Sequence, residues 1–327
     1  MPEPERRGSG NGGSAPASTT DYGKTASFLA VGVGLTGVIT YAYFLIASHT
    51  LSKPDYGQIT VLWSAVFITI STLYRPIEQL LSRHISERMT RGEPIKAPMR
   101  VASTIQFGLS LLFAVLALAL RGPIQDSLLE GNEPLYWVFF SSVLFYAASY
   151  FARGFLAGAQ RFGLFVAMIL SESCFRTIFA VMVAIGVLSG QSAVAIGITA
   201  APALSLIVVP FAFARRAKKE AAKDSPGTPG REAEDAPADD FSLAHGGGFA
   251  AAVLVIMFSE QAFLNAGPII IRGLEGAAEA GFIFNVLMLA RAPLQLFQSV
   301  STSILPHLTS LHASKTEASE REFHKTV

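Results

Sequence analysis

The chain has 327 residues, 51% of them hydrophobic and 15% charged, with 25 Lys and Arg against 24 Asp and Glu and a formal net charge of +1. Its mean hydropathy is +0.44. A soluble domain carries about a quarter charged residues, so the composition excludes an ordinary soluble domain and points to a membrane protein. The near-zero net charge names no partner, because the charges are segregated along the chain. The single Cys174 excludes an intrachain disulfide framework and, alone, makes no thiolate metal site.

Residues 1–26 are rich in Gly, Ser, Pro and charge, cannot bury a core, and are expected as a disordered cytoplasmic tail. The apolar run that follows is too long for a cleaved signal peptide and begins too late. Runs near the roughly 20 apolar residues that cross a bilayer core fall at 27–47, 58–81, 101–120, 134–152, 164–188, 193–214, 248–271 and 281–304. The second takes up Arg75 and Pro76, and the seventh takes up Glu260, Gln261, Asn265, Gly267 and Pro268. Between the sixth and seventh lies a polar stretch, 215–247, basic first and then acidic, expected as a cytoplasmic linker. The predicted fold is therefore an all-α polytopic membrane protein, with six helices over 27–214 and two more within 248–327.

Lys and Arg set the expected orientation. With the N-terminus in the cytoplasm, 19 of the 25 fall in inside segments, Arg153 and Arg161 among them, and only Lys53, Arg121 and Arg272 fall outside. That bias predicts a cytoplasmic N-terminus and an even number of spans, and the expected location of such a multi-pass protein is the cell (inner or plasma) membrane. The basic stretch 82–100 reads as a loop anchored on anionic lipid.

Three stretches resemble one family. LIASHTLSKPDYGQITVLWS at 45–64 resembles the first helix–loop–second helix junction of polysaccharide and oligosaccharide flippases, with Pro54, Asp55, Tyr56 and Gly57 as the turn. ARGFLAGAQRFGLF at 152–165 is similar to the cytoplasmic link between that family's fourth and fifth helices. RAPLQLFQSVSTSILPHLT at 291–309 resembles its eighth helix. The resemblance covers about 45–310 and implies a MATE-like fold, the fold of the multidrug and toxin extrusion superfamily, with two six-helix lobes around a central cavity. By that measure the chain holds the first lobe and two helices of the second, and is expected to be a fragment. SLHASKTEASEREFHKTV at its end resembles the approach to a ninth helix.

The polar residues inside the apolar runs are the candidate site. Glu260 lies about 18 Å into the seventh run, near the middle of a core roughly 30 Å thick. An ionisable group there costs on the order of 2.5–3.5 kcal/mol, so Glu260 is expected to face a cavity as a protonatable or cation-binding group. Gln261 and Asn265, an i,i+4 pair, are expected to join Glu260 and Pro268 in one polar flank, kinked at Gly267-Pro268. Glu172 and Arg176 stand i,i+4 with the acid first, the order that favours an ion pair, read here as structural. Arg291, Gln295, Gln298 and Thr302 step by four, three and four along the eighth run. They form a polar stripe that suits an anionic, hydroxyl-rich cargo, Arg for a diphosphate and amides for sugar hydroxyls. Arg75 is expected as an anchor near the end of the second helix.

The six histidines show no metal-ligand spacing and no phosphate-cradling loop is present. Neither an enzyme nor a nucleic-acid binder is expected, and no cofactor beyond H+ or Na+ as a coupling ion. The family resemblance implies alternating access, with a lipid-linked oligosaccharide as cargo and polysaccharide-assembly enzymes as partners. The alternatives are a drug or toxin exporter of the same superfamily and a non-transporting membrane scaffold.

Overall fold

The computed structural model describes residues 19–210 and 243–291. The chain divides into two compact units, Met1–Val31 with Leu296–Val327, and Gly32–Gln295. Of the first, the described part is the helical start of α1; the second holds everything discussed below. The helices are α1 (Thr19–Thr50), α2 (Lys53–Leu73), α3 (Arg75–Arg91), α4 (Lys96–Ala119), α5 (Glu133–Gly158), α6 (Phe162–Ala184), α7 (Gln191–Ser205), α8 (Leu243–Leu274) and α9 over 277–291. Between α4 and α5 the chain makes one short helical turn and a π-helical turn, Ile124–Leu128. No strand occurs among the described residues.

Local chemistry places the boundaries. Ser52 caps α2, its hydroxyl accepting the Asp55 N–H at 3.3 Å and donating to the Asp55 carboxylate at 2.6 Å, and Pro54 occupies the first turn, where a missing N–H costs nothing. The Pro-Asp-Tyr-Gly stretch is thus the first turn of a helix, not the loop before one. At Tyr74 the helix is interrupted because Pro76 offers no N–H to the Thr72 carbonyl. It resumes at once as α3 and runs on to Arg91. There Gly92, at φ 71°, closes it with the Glu93 N–H on the Arg88 carbonyl at 2.9 Å.

Residues 82–91 are therefore helix rather than basic loop. Ile77, Leu81 and Ile85 recur every four residues and are buried, which gives that segment an apolar stripe to pack. Arg75 correspondingly opens α3 instead of ending a span. Similarly, helix begins at Thr19 and at Leu243, inside the stretches expected as tail and linker.

Two close crossings depend on glycine. On α5, Gly154 and Gly158 lie one turn apart, and a Cβ on Gly158 would stand 2.7 Å from the Ser82 carbonyl oxygen and 2.8 Å from Ile85 Cβ of α3. A Cβ on Gly57 would fall 1.6 Å from the Ala277 carbonyl oxygen, so α2 and α9 touch backbone to backbone. Small residues at such crossings are how membrane helices gain contact without a hydrophobic driving force between them. Around these crossings sits an aromatic core: Phe44 packs on Trp63 at 5.1 Å between ring centroids and on Phe284 at 4.6 Å.

Outward faces are apolar. On α1, Val33 and Val38 are exposed, and on α4 so are Phe107, Leu111, Leu112, Val115 and Leu118. Seven helical stretches are long and apolar enough to cross a bilayer: Ser27–Thr50, Lys53–Arg91, Lys96–Ala119, Glu133–Gly158, Phe162–Ala184, Gln191–Pro210 and Leu254–Leu274. They match the first seven expected runs. The eighth, 281–304, is helical as far as 291, and its remainder lies outside the described residues. Apolar surface of this extent needs lipid around it.

Candidate functional site: charged and amide groups inside the bundle

Glu172 stands ten residues into α6, about 15 Å from its start and hence near mid-membrane. Its two oxygens take hydrogen bonds from four side chains. One oxygen accepts from the Arg176 guanidinium and from the Tyr146 hydroxyl, at 2.9 and 2.8 Å. The other accepts from Arg153 and, at 3.4 Å, from Ser149. Arg176 also donates to the Tyr146 oxygen at 2.9 Å. Both guanidinium planes lie over rings, Arg176 on Trp63 at 4.4 Å and Arg153 on Tyr150 at 4.9 Å. The Nε–H of each arginine has no acceptor among the described residues, and the cation–π contacts are its compensation.

The i,i+4 pair expected from sequence is therefore present as one edge of a larger cluster spanning α2, α5 and α6. Arg153, expected from sequence in a cytoplasmic loop, lies instead inside α5, because that helix continues to Gly158, and the charge bias survives its removal from the inside tally. The signal for it was in the sequence: Tyr146, Ser149, Tyr150 and Arg153 fall on one face of a 3.6-residue period.

A second polar group joins α8 to α9. The Asn265 amide nitrogen donates to the Gln261 side-chain oxygen at 3.2 Å, and Arg291 donates to the Asn265 oxygen at 3.2 Å. Gln261, Asn265 and Pro268 share the buried face of α8. Glu260 does not: it is exposed, with no hydrogen bond or ion pair among the described residues. One residue step is about 100° of helix rotation, so Glu260 leaves the flank on which Gln261 begins. Nor does Gly267-Pro268 break the helix, which runs unbroken to Leu274. Of the stripe on the eighth run, Arg291 is placed; Gln295, Gln298 and Thr302 lie outside the described residues.

Among the described residues no group of three His, Cys, Asp or Glu side chains is arranged to hold a metal. A bundle of apolar spans with charged and amide groups on its inner faces defines an all-helical, multi-pass membrane protein. Set against protein families, curated proteins and solved structures, the chain matches none of them.

Proposed function

We propose that the chain translocates a lipid-linked oligosaccharide or polysaccharide precursor across the plasma membrane by alternating access, driven by an H+ or Na+ gradient. In this proposal the N-terminus is cytoplasmic, the spans from α1 to α7 form the first lobe of a MATE-like transporter, and α8 and α9 open the second. The three stretches that resemble oligosaccharide flippases support the assignment, as does the excess of Lys and Arg on one side.

The observation that carries it is Arg291. Its guanidinium is partly buried between two apolar helices and reaches an amide, not a carboxylate, among the described residues. An intramembrane cation is costly and marks a functional position by default. One that meets no carboxylate among the described residues suits an anionic headgroup, whose phosphate oxygens a planar guanidinium binds in pairs. Gln261 and Asn265 beside it supply amide donors and acceptors for sugar hydroxyls. Glu260, exposed on α8, is the carboxylate assigned to the coupling ion.

The test is translocation by the full chain in sealed liposomes. A fluorescent polyprenyl-diphosphate oligosaccharide is placed in the membrane, and its protection from an impermeant quencher is followed with and without a pH or sodium gradient. Gradient-dependent movement is expected. Rates equal to protein-free vesicles would end the proposal, and movement of an organic cation instead would transfer it to the drug-exporter class.

A further inference from the structure

A cavity of about 660 Å³ lies at the turn that joins α5 to α6, walled on its other side by α3. Its level in the membrane follows from the glycine crossings: Gly158, the last residue of α5, meets Ser82 of α3, and Gly154, one turn deeper, meets Glu78. Both spans end at that turn, so Ser82 stands at the membrane boundary. Arg75, seven residues before it on α3, lies about 10 Å further in at 1.5 Å per residue. The cavity therefore reaches from headgroup level into the outer part of the hydrocarbon.

Its deep end carries Arg75 and Glu78, three residues apart and hence neighbours on one face of α3. Both are half-buried. Glu78 feels the charges of Arg153 and Arg75, yet neither Arg75 nor Glu78 makes a hydrogen bond or an ion pair within 4 Å among the described residues, and Arg153 is already engaged by Glu172. Nearer the mouth Arg83 and Glu87 bind each other at 2.9 Å. The wall that α6 contributes is aromatic, with Phe162 and Phe165. One cation and one anion thus stand side by side, unclaimed among the described residues, beside an apolar surface.

We propose that this cavity binds the headgroup of a zwitterionic aminophospholipid, phosphatidylethanolamine, with Arg75 on its phosphate, Glu78 on its ammonium and the start of an acyl chain on Phe162 and Phe165. Charges withdrawn from water are costly without a partner, and a guanidinium binds phosphate oxygens in pairs. An anionic lipid such as phosphatidylglycerol would satisfy Arg75 but bring Glu78 no cation. The mixed signs of the cavity therefore select the zwitterion. Such a lipid site stands whether or not the chain moves the cargo proposed above.

The test compares two lipids on the full chain in detergent, phosphatidylethanolamine and phosphatidylglycerol carrying the same photoreactive group on one acyl chain. Cross-links are mapped by peptide mass. The parent is expected to take up phosphatidylethanolamine about fivefold over phosphatidylglycerol, the upper range for a partly exposed charge pair, with cross-links in α3 and at the start of α6. Glu78→Gln should bring that ratio close to one, and because the ratio compares two lipids on one variant it does not depend on how much of the protein is folded. Arg75→Gln should lower phosphatidylethanolamine uptake by a similar factor, and Arg75→Lys, which keeps the charge, should restore most of it. A parent ratio near one, a ratio that Glu78→Gln leaves unchanged, or cross-links confined to other segments would each overturn the site. Soluble phosphoethanolamine competing as well as the intact lipid would overturn the lipid as its occupant, since the aromatic wall would then contribute nothing.

Discussion

Arg153 and Glu172, nineteen residues apart on successive helices, form an ion pair inside the bundle, and Arg176 closes on the same carboxylate from the other side. Removing Glu172 from this cluster leaves two buried guanidinium charges uncompensated, which costs about 3–5 kcal/mol, and removing Arg153 leaves one Glu172 oxygen without its charged donor, which costs about 1–3 kcal/mol. Arg153→Ala and Glu172→Gln should therefore each lower the thermal unfolding midpoint of the detergent-solubilised protein by several degrees. Replacing all three together by apolar residues of similar volume, Glu172→Leu with Arg153→Met and Arg176→Met, should cost less than either single change. A triple variant less stable than both singles would mean the cluster is a net source of stability.

The glycine crossings give a graded prediction. Gly158→Ala must displace Ser82 or Ile85 and should cost about 1–3 kcal/mol, the range for overpacking. Gly57→Ala meets the Ala277 backbone at 1.6 Å and should be the more severe. Gly108, on the open face of α4, would have nothing within 4 Å of an added Cβ, so Gly108→Ala should leave stability unchanged or slightly raised through helix propensity. Unfolding midpoints of the three variants, measured side by side, check the order.

Glu260→Gln separates coupling from folding. The side chain is exposed and unpaired among the described residues, so the variant should insert and unfold like the parent. Gradient-driven translocation should be lost, while movement down a cargo gradient should persist. Full gradient-driven rates in this variant would remove Glu260 from the coupling role.

Arg291→Lys keeps the charge and loses the planar fork. Apparent affinity for the anionic cargo should fall on the order of tenfold, as expected where a bidentate contact becomes a point charge. Asn265→Leu, which leaves Arg291 without its amide partner, should weaken it in the same direction. Equal affinity in the parent and in Arg291→Lys, titrated by fluorescence quenching of the labelled lipid, would show that the guanidinium does not touch the headgroup.

Much of the fold was legible in the amino-acid sequence, and for one reason. A bilayer demands some 20 apolar residues in each crossing helix, a requirement written along one dimension, so the seven spans stand where the apolar runs stand. Contacts within a single helix were legible too: Glu172 with Arg176 and Gln261 with Asn265 are i,i+4 pairs, and helix geometry alone brings them together. What could not be read locally depends on which neighbour arrives. Arg153 became a buried ligand of Glu172 because α5 continued past the expected boundary and packed on α3 through two glycines. Arg291 met Asn265 because α9 folded back along α8, and Glu260 fell outside their group because burial is decided by the partner helix, not by hydropathy. The sequence determined which segments enter the membrane, while only the tertiary structure decided which polar groups inside it would face one another.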